Sequence, residues 1–163
     1  MSKLALGSVQ FGLKYGINNH SSKLDFYDAN AIVRLAEREG INVIDTAISY
    51  GISENVLGKI GVSEFKVVTK LPSLPRTSDN LENWILNQVT SSIQRLGIKS
   101  LYALLFHNSK DLLNSRFKSL ERFLFQLKSE NLIEKIGVSI YGPEELNRIL
   151  DIFQPDIIQA PLN

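Results

Sequence analysis

The chain has no cysteine. Disulfides, thiolate nucleophiles and thiolate metal sites are therefore excluded, and the usage fits a reducing compartment. Histidine is almost as scarce. His20 and His107 are the 2 present, too few for a histidine-rich metal centre, and no metal is expected. Charge of one sign is not in excess either: 18 Lys and Arg against 17 Asp and Glu leave a net +1, mixed along the chain. The electrostatic footprint of a nucleic-acid or anionic-lipid binder is missing. No apolar run approaches the roughly 20 residues of a membrane span. The opening MSKLALGSVQFG is broken too early by polar residues to be a signal peptide, so the expected location is the cytoplasm. No stretch rich in proline, glycine or serine marks a linker, and a single domain over residues 1–163 is expected.

What is present is alternation. Short apolar runs read as strands over Lys3–Gln10, Asn42–Ala47, Phe65–Leu71, Leu101–His107, Ile133–Ser139 and Asp156–Leu162. Several are nearly continuous Val, Ile and Leu, which suits parallel strands covered on both faces. Between them a helical period recurs. Ile32, Leu35 and Ala36 mark one helix ahead of Gly40, and a shorter one runs from Ser53 to Gly61. Ile85, Val89, Ile93 and Leu96 mark a long helix ending at Gly97, with Asp79 and Glu82 resembling a capping box at its start. Phe117, Leu120, Leu124 and Leu127 mark the next. The last has Pro143 at its first position and Leu146, Ile149, Leu150 and Phe153 on one face. Strict β-α alternation implies right-handed crossovers, in either a (β/α)8 barrel or a doubly wound open sheet. Six strands and five helices are countable where a barrel has eight of each.

Glycines at 7, 12 and 16 do not form the G-x-G-x-x-G dinucleotide fingerprint, so a Rossmann reading is poor. They are expected to make a turn after the first strand. The informative positions are strand ends. Asp45 ends the second strand, Lys70 the third and His107 the fourth, and Tyr50 lies in the loop after the second. Each alone reads as an ordinary polar strand end or turn residue. Together they match one mechanism. In a barrel those ends converge on one face. A phenol with an ordinary pKa of about 10 is a slow proton donor at neutral pH. A nearby lysine cation is expected to lower that pKa, a carboxylate to hold the lysine, and an imidazole to orient a carbonyl.

DTAISYG, VVTKL and LLFHN, in this order, resemble the tyrosine, lysine and histidine segments of the aldo-keto reductases. EKIGVSIYG and IIQAPLN are similar to that family's nicotinamide-facing strands, and the resemblance runs from LALGSVQFG to the last residue. It implies a TIM-barrel fold and NAD(P)H-dependent reduction of an aldehyde or ketone. NADP(H) is then expected ahead of NAD(H). By the same resemblance Tyr50 is the general acid, Lys70 tunes it, Asp45 pairs with Lys70 and His107 orients the substrate. Ser139 and Gln159 contact the nicotinamide, and Gly7, Ser8 and Asp45 lie at the cofactor. Ile140 stands where many members have asparagine, which removes one carboxamide hydrogen bond. The opening LGSVQFGLKYGINN looks most like bacterial members tied to surface-sugar metabolism, so a small, sugar-related carbonyl substrate is expected.

Strands seven and eight have no counterpart up to Asn163, and in the family they carry the adenosine-phosphate anchor. The expectation is an incomplete barrel, a truncated and weakly active or inactive form of a longer reductase, with open sheet edges that invite self-association. A non-catalytic barrel fragment serving as a binding module is the alternative. A third reading makes Lys70 a Schiff-base nucleophile of an aldolase, but leaves Tyr50 and Asp45 without a shared role.

Overall fold

The computed structural model describes residues 3–15, 24–77, 80–113 and 117–162. Six strands form one sheet in the order β1 to β6: Leu6–Gly7, Val43–Asp45, Lys66–Leu71, Leu101–Phe106, Ile133–Ser139 and Ile157–Gln159. Every neighbouring pair is parallel. The sheet curls into an incomplete (β/α)8 barrel with the helices on its convex side. They are α1 (Val9–Gly12), α2 (Phe26–Arg38), α3 (Ser53–Ile60), α4 (Leu81–Leu96), α5 (Phe117–Ser129) and α6 (Pro143–Leu150).

Helix boundaries follow local chemistry. Asp25 caps α2 by accepting the Asp28 amide at 2.8 Å. Asn80 caps α4 by accepting the Asn83 amide at 2.9 Å, which replaces the expected Asp79 cap (Asp79 lies outside the described residues). Gly97 ends α4 at φ 64°, a left-handed turn that suits glycine. Pro143 sits in the first turn of α6, where its missing N–H is not needed.

The main core lies between helices and sheet. Ile44, Val67, Leu71, Leu104, Phe106 and Ile136 point out from the strands to meet Val33, Leu57, Ile85 and Leu124 from the helices. A smaller cluster of Val68, Ala103 and Leu105 faces the barrel interior. This two-sided burial explains why the strands read as unbroken apolar runs.

Two strands differ most from the sequence reading. The first is only Leu6–Gly7, because Val9–Gly12 turns into α1 and buries Phe11 to 2% exposure against the core. The last ends at Gln159, before Pro161, which has no N–H to donate to a ladder. Both edge strands are thus short, with two and three residues, which leaves little backbone for pairing with another chain.

The close approach of α1 to the loop after β2 fixes where that loop lies. A Cβ on Gly12 would run into the Tyr50 carbonyl oxygen, and one on Gly51 would meet the Gly12 carbonyl oxygen at 2.7 Å. Gly51 also sits at φ +59°, in the left-handed region. Gly12→Ala is therefore expected to cost about 1–3 kcal/mol of stability, as backbone has to move aside. A denaturation midpoint unchanged from the parent chain would contradict that contact.

Candidate active site

The C-terminal ends of β2, β3 and β4 bring Asp45, Lys70 and His107 to one rim, and the loop after β2 folds Tyr50 over them. Asp45 and Lys70 are on adjacent parallel strands, and both side chains face the barrel interior beside Val68. Lys70 is 2% exposed. Its Nζ donates to Asp45 Oδ1 at 2.7 Å, to Asp45 Oδ2 at 2.8 Å and to the Thr46 carbonyl at 2.8 Å. The Tyr50 hydroxyl lies 3.5 Å from the same nitrogen. The His107 ring stands edge-on to the Tyr50 ring, with centroids 5.9 Å apart at 81°.

The sequence thus singles out four groups that the fold gathers. A buried ammonium is costly unless each N–H is satisfied. Here three oxygens within 2.8 Å meet that requirement.

Ionisation follows from this packing. Tyr50 is pushed up to about 12, first by burial and then by the Asp45 carboxylate, with Tyr15 and Tyr141 adding to it. The expected downward pull of Lys70 does not prevail, because the Asp45 carboxylate is clamped on that cation. Burial lowers Lys70 from the ordinary lysine value, while the charge and hydrogen bond of Asp45 oppose the fall. Burial, then the Lys70 charge, lowers His107, with Asp45 opposing. At neutral pH the site therefore holds a protonated phenol and a neutral imidazole.

An open cavity of about 210 Å³ lies over these groups, lined by Asp45, Tyr50, Lys70, His107, Ser139 and Gln159, with Tyr141 at its rim. Ser139 and Gln159 are direct partners across β5 and β6, both half-buried. Gly7 pairs with Asp45 across β1 and β2, and nothing lies within 4 Å of where its Cβ would be. Ser8 is placed differently from the expectation. It is 1% exposed, and its hydroxyl donates to the Asp45 carbonyl at 3.0 Å and accepts from Ser53 at 2.9 Å. These bonds brace the end of the second strand. Ile140, where asparagine was the expected residue, is 4% exposed and part of the main apolar core.

Several supporting residues were not singled out from the sequence. Thr46, Ser53 and Ser8 form a buried hydroxyl cluster that ties β2 to the start of α3, with Thr46 and Ser53 oxygens 3.2 Å apart. Buried Glu54 accepts from Thr69 and Ser92 at 2.7 Å each and from Arg95 Nε at 2.8 Å, tying α3, β3 and α4 together next to Lys70. Ser49 Oγ lies 3.2 Å from His107 Nδ1. A serine in a turn or a glutamate in a first helical turn carries no such signal, since each has a common local role.

Among the described residues no three metal-ligating side chains gather, and no helix is long and apolar enough to cross a membrane. His20 lies outside the described residues.

A parallel barrel sheet with ionisable groups collected at the C-terminal rim of its strands is the layout of a TIM-barrel active site. The family is then specific: this chain belongs to the aldo/keto reductase family, whose model matches residues 3–163. The chain is 31% identical over 137 residues to the chloroplastic pyridoxal reductase of Arabidopsis thaliana, covering 72% of this chain and 36% of that protein. A Pseudomonas aeruginosa protein assigned to the aldo-keto reductases is 29% identical, with a TM-score of 0.78 over 98% of this chain and 62% of that one. The Bombyx mori aldo-keto reductase in complex with NADP shares the fold, at 20% identity and a TM-score of 0.71, over 98% of this chain and 54% of that one. The chain thus spans about 36% of the curated relative and 62% of the Pseudomonas aeruginosa chain.

Proposed function

We propose that the rim site carries out NAD(P)H-dependent reduction of a small aldehyde or ketone to its alcohol, with Tyr50 as the general acid. The observation that carries this reading is the contact of one buried ammonium, Lys70 Nζ, with both Asp45 oxygens and, at 3.5 Å, with the Tyr50 hydroxyl. That arrangement holds a phenolic proton at a fixed point beside an open cavity. Membership of the family and the pyridoxal reductase relative, named for an aldehyde substrate, point the same way.

The residues present fit a nicotinamide group. The cavity of about 210 Å³ is below the roughly 300–1,000 Å³ of common ligand pockets, so it suits a nicotinamide ring and a small carbonyl, not a whole dinucleotide. Ser139 and Gln159 offer one hydroxyl and one carboxamide to the ring's amide, and the bare face of Gly7 admits close approach. Ser8, buried, is assigned a supporting role. A bound nicotinamide dinucleotide would supply the hydride. NADP(H) is proposed ahead of NAD(H), in line with the NADP-bound Bombyx mori relative.

Within the chain, His107 orients the carbonyl oxygen and Tyr50 gives its proton to that oxygen as it gains charge. Lys70 stabilises the phenolate left behind, since an ammonium beside it favours the charged form. Asp45 and the Thr46 carbonyl keep Lys70 in place. Those same bonds weigh against Lys70 as an aldolase nucleophile. Its N–H groups are spent on three oxygens, whereas a nucleophilic amine needs a free lone pair. A single (β/α) barrel domain acting in the cytoplasm on a sugar-related carbonyl completes the proposal.

The direction of the Tyr50 shift predicts opposite pH profiles. A raised pKa keeps the proton on at neutral pH, so reduction should be insensitive to Tyr50 ionisation until the pH nears about 12. Alcohol oxidation needs the phenolate, so its rate should rise about tenfold per pH unit on the acid side of that value. Initial rates in both directions across alkaline pH test this, and an oxidation rate that falls with pH would refute it. The function itself is tested by titrating NADPH fluorescence and following NADPH consumption with pyridoxal and small aldoses. Saturable binding with carbonyl-dependent consumption is expected. Binding without consumption would favour a non-catalytic module.

A further inference from the structure

The imidazole of His107 leaves one question that the rim geometry answers through a residue outside the four. Ser49 sits in the turn after β2, one residue before Tyr50, and its Oγ is 3.2 Å from His107 Nδ1 on the far side of β3. Among the described residues this is the hydrogen bond His107 makes through its side chain. A neutral imidazole has one N–H and one bare nitrogen, and the partner of one nitrogen decides the state of the other.

We propose that Ser49 is a positioning residue that donates its hydroxyl hydrogen to His107 Nδ1 and so places the ring proton on Nε2. A carbonyl oxygen offers only lone pairs, so the nitrogen that meets it has to carry the hydrogen. With Nδ1 taken by Ser49, Nε2 is the nitrogen left for a ligand in the cavity that His107 lines. The reverse arrangement, Nδ1–H donating to Ser49, would turn a lone pair toward that ligand and repel it. Chemistry favours the first arrangement, because a hydroxyl is a good donor to a bare ring nitrogen, while an N–H to a hydroxyl oxygen makes the weaker bond.

The turn itself makes this possible. Ile48 N donates to the Lys70 carbonyl at 3.2 Å and Tyr50 N to the Ala47 carbonyl at 3.0 Å, so the backbone on both sides of Ser49 is pinned. The same short segment therefore presents the proposed acid and sets the proton of the orienting ring. The catalytic meaning rests on the carbonyl-reduction reading, but the tautomer does not.

The test is nitrogen NMR of the 15N-labelled 163-residue chain, which is tractable because the sequence has 2 histidines and His20→Gln leaves His107 alone. The expected spectrum at neutral pH shows a protonated Nε2 and a bare Nδ1. Ser49→Ala should raise the Nδ1–H population about fivefold, the loss of one ordinary hydrogen bond of about 1 kcal/mol. Ser49→Thr, which keeps the hydroxyl, should restore the parent spectrum. Ser49 is exposed in a turn, so the alanine variant is expected to fold, and circular dichroism checks that. A parent chain with its proton on Nδ1, or a tautomer ratio unmoved by Ser49→Ala, overturns the proposal. If the spectra behave as expected and NADPH is not consumed with any carbonyl, the proposed function fails and this inference stands.

Discussion

Tyr50→Phe is expected to lower carbonyl reduction by about 10²–10⁴-fold, the usual contribution of a positioned general acid, while NADPH affinity stays within about twofold. The change removes one oxygen and little else. The Tyr50 ring keeps its edge-on contact with His107 and its place 5.1 Å from Lys70 Nζ, so the cavity wall survives. The hydroxyl is also the weakest of the Lys70 contacts at 3.5 Å, so its loss leaves the ammonium satisfied by Asp45 and Thr46. Stability should be nearly unchanged for that reason. Steady-state rates with fluorescence titration separate the two effects. Turnover retained within about tenfold would remove Tyr50 as the proton donor.

Removing either partner of the Lys70–Asp45 pair should have the largest effect on stability, and Lys70→Met is one such change. Breaking a buried ion pair by removing one partner costs about 3–5 kcal/mol, because the other charge is left without compensation. Asp45 retains 22% exposure of its side chain and can take up water, so the lower end of that range, about 3 kcal/mol, is expected here. The Thr46 carbonyl also loses its partner. Asp45→Asn should be at least as damaging, since it strands a charge that is 2% exposed. The double variant should regain a large part of either loss, as no lone charge remains. Denaturant unfolding of the four chains closes the cycle and gives the coupling directly. Additive losses would mean that Asp45 and Lys70 do not act as a pair.

Much of the architecture was legible in the chain itself because its signals are local. Alternating apolar strands and helical periods, with Gly40, Gly61 and Gly97 after three helices, give the order of elements without any knowledge of contacts. The boundaries that failed did so where distant packing prevailed over local pattern. Val9 to Gly12 continues an apolar run, yet it turns helical as Phe11 enters the main core and Gly12 packs on the loop that carries Tyr50. At the other end Pro161 closes the ladder earlier than the apolar pattern suggests.

The site divides in the same way. Asp45, Tyr50, Lys70 and His107 could be listed from the sequence because strand ends of a parallel barrel share one rim, so residue type and topology suffice to group them. Their ionisation could not. Lys70 was expected to draw the Tyr50 pKa down, whereas the fold clamps its charge on Asp45 and buries the phenol, which raises it to about 12. Ser8 was expected near the cofactor at the first strand, and the fold buries its hydroxyl on the Asp45 carbonyl. Ser49, Ser53 and Glu54 act through partners 58, 45 and 41 residues away, distances at which the sequence carries no signal. The succession of strands and helices along the chain and the residue types at the strand ends were therefore determined by sequence alone, since both arise from local pattern. Which atom each side chain meets, and so which proton it holds, was decided by the tertiary structure, because burial and charge act through space and not along the chain.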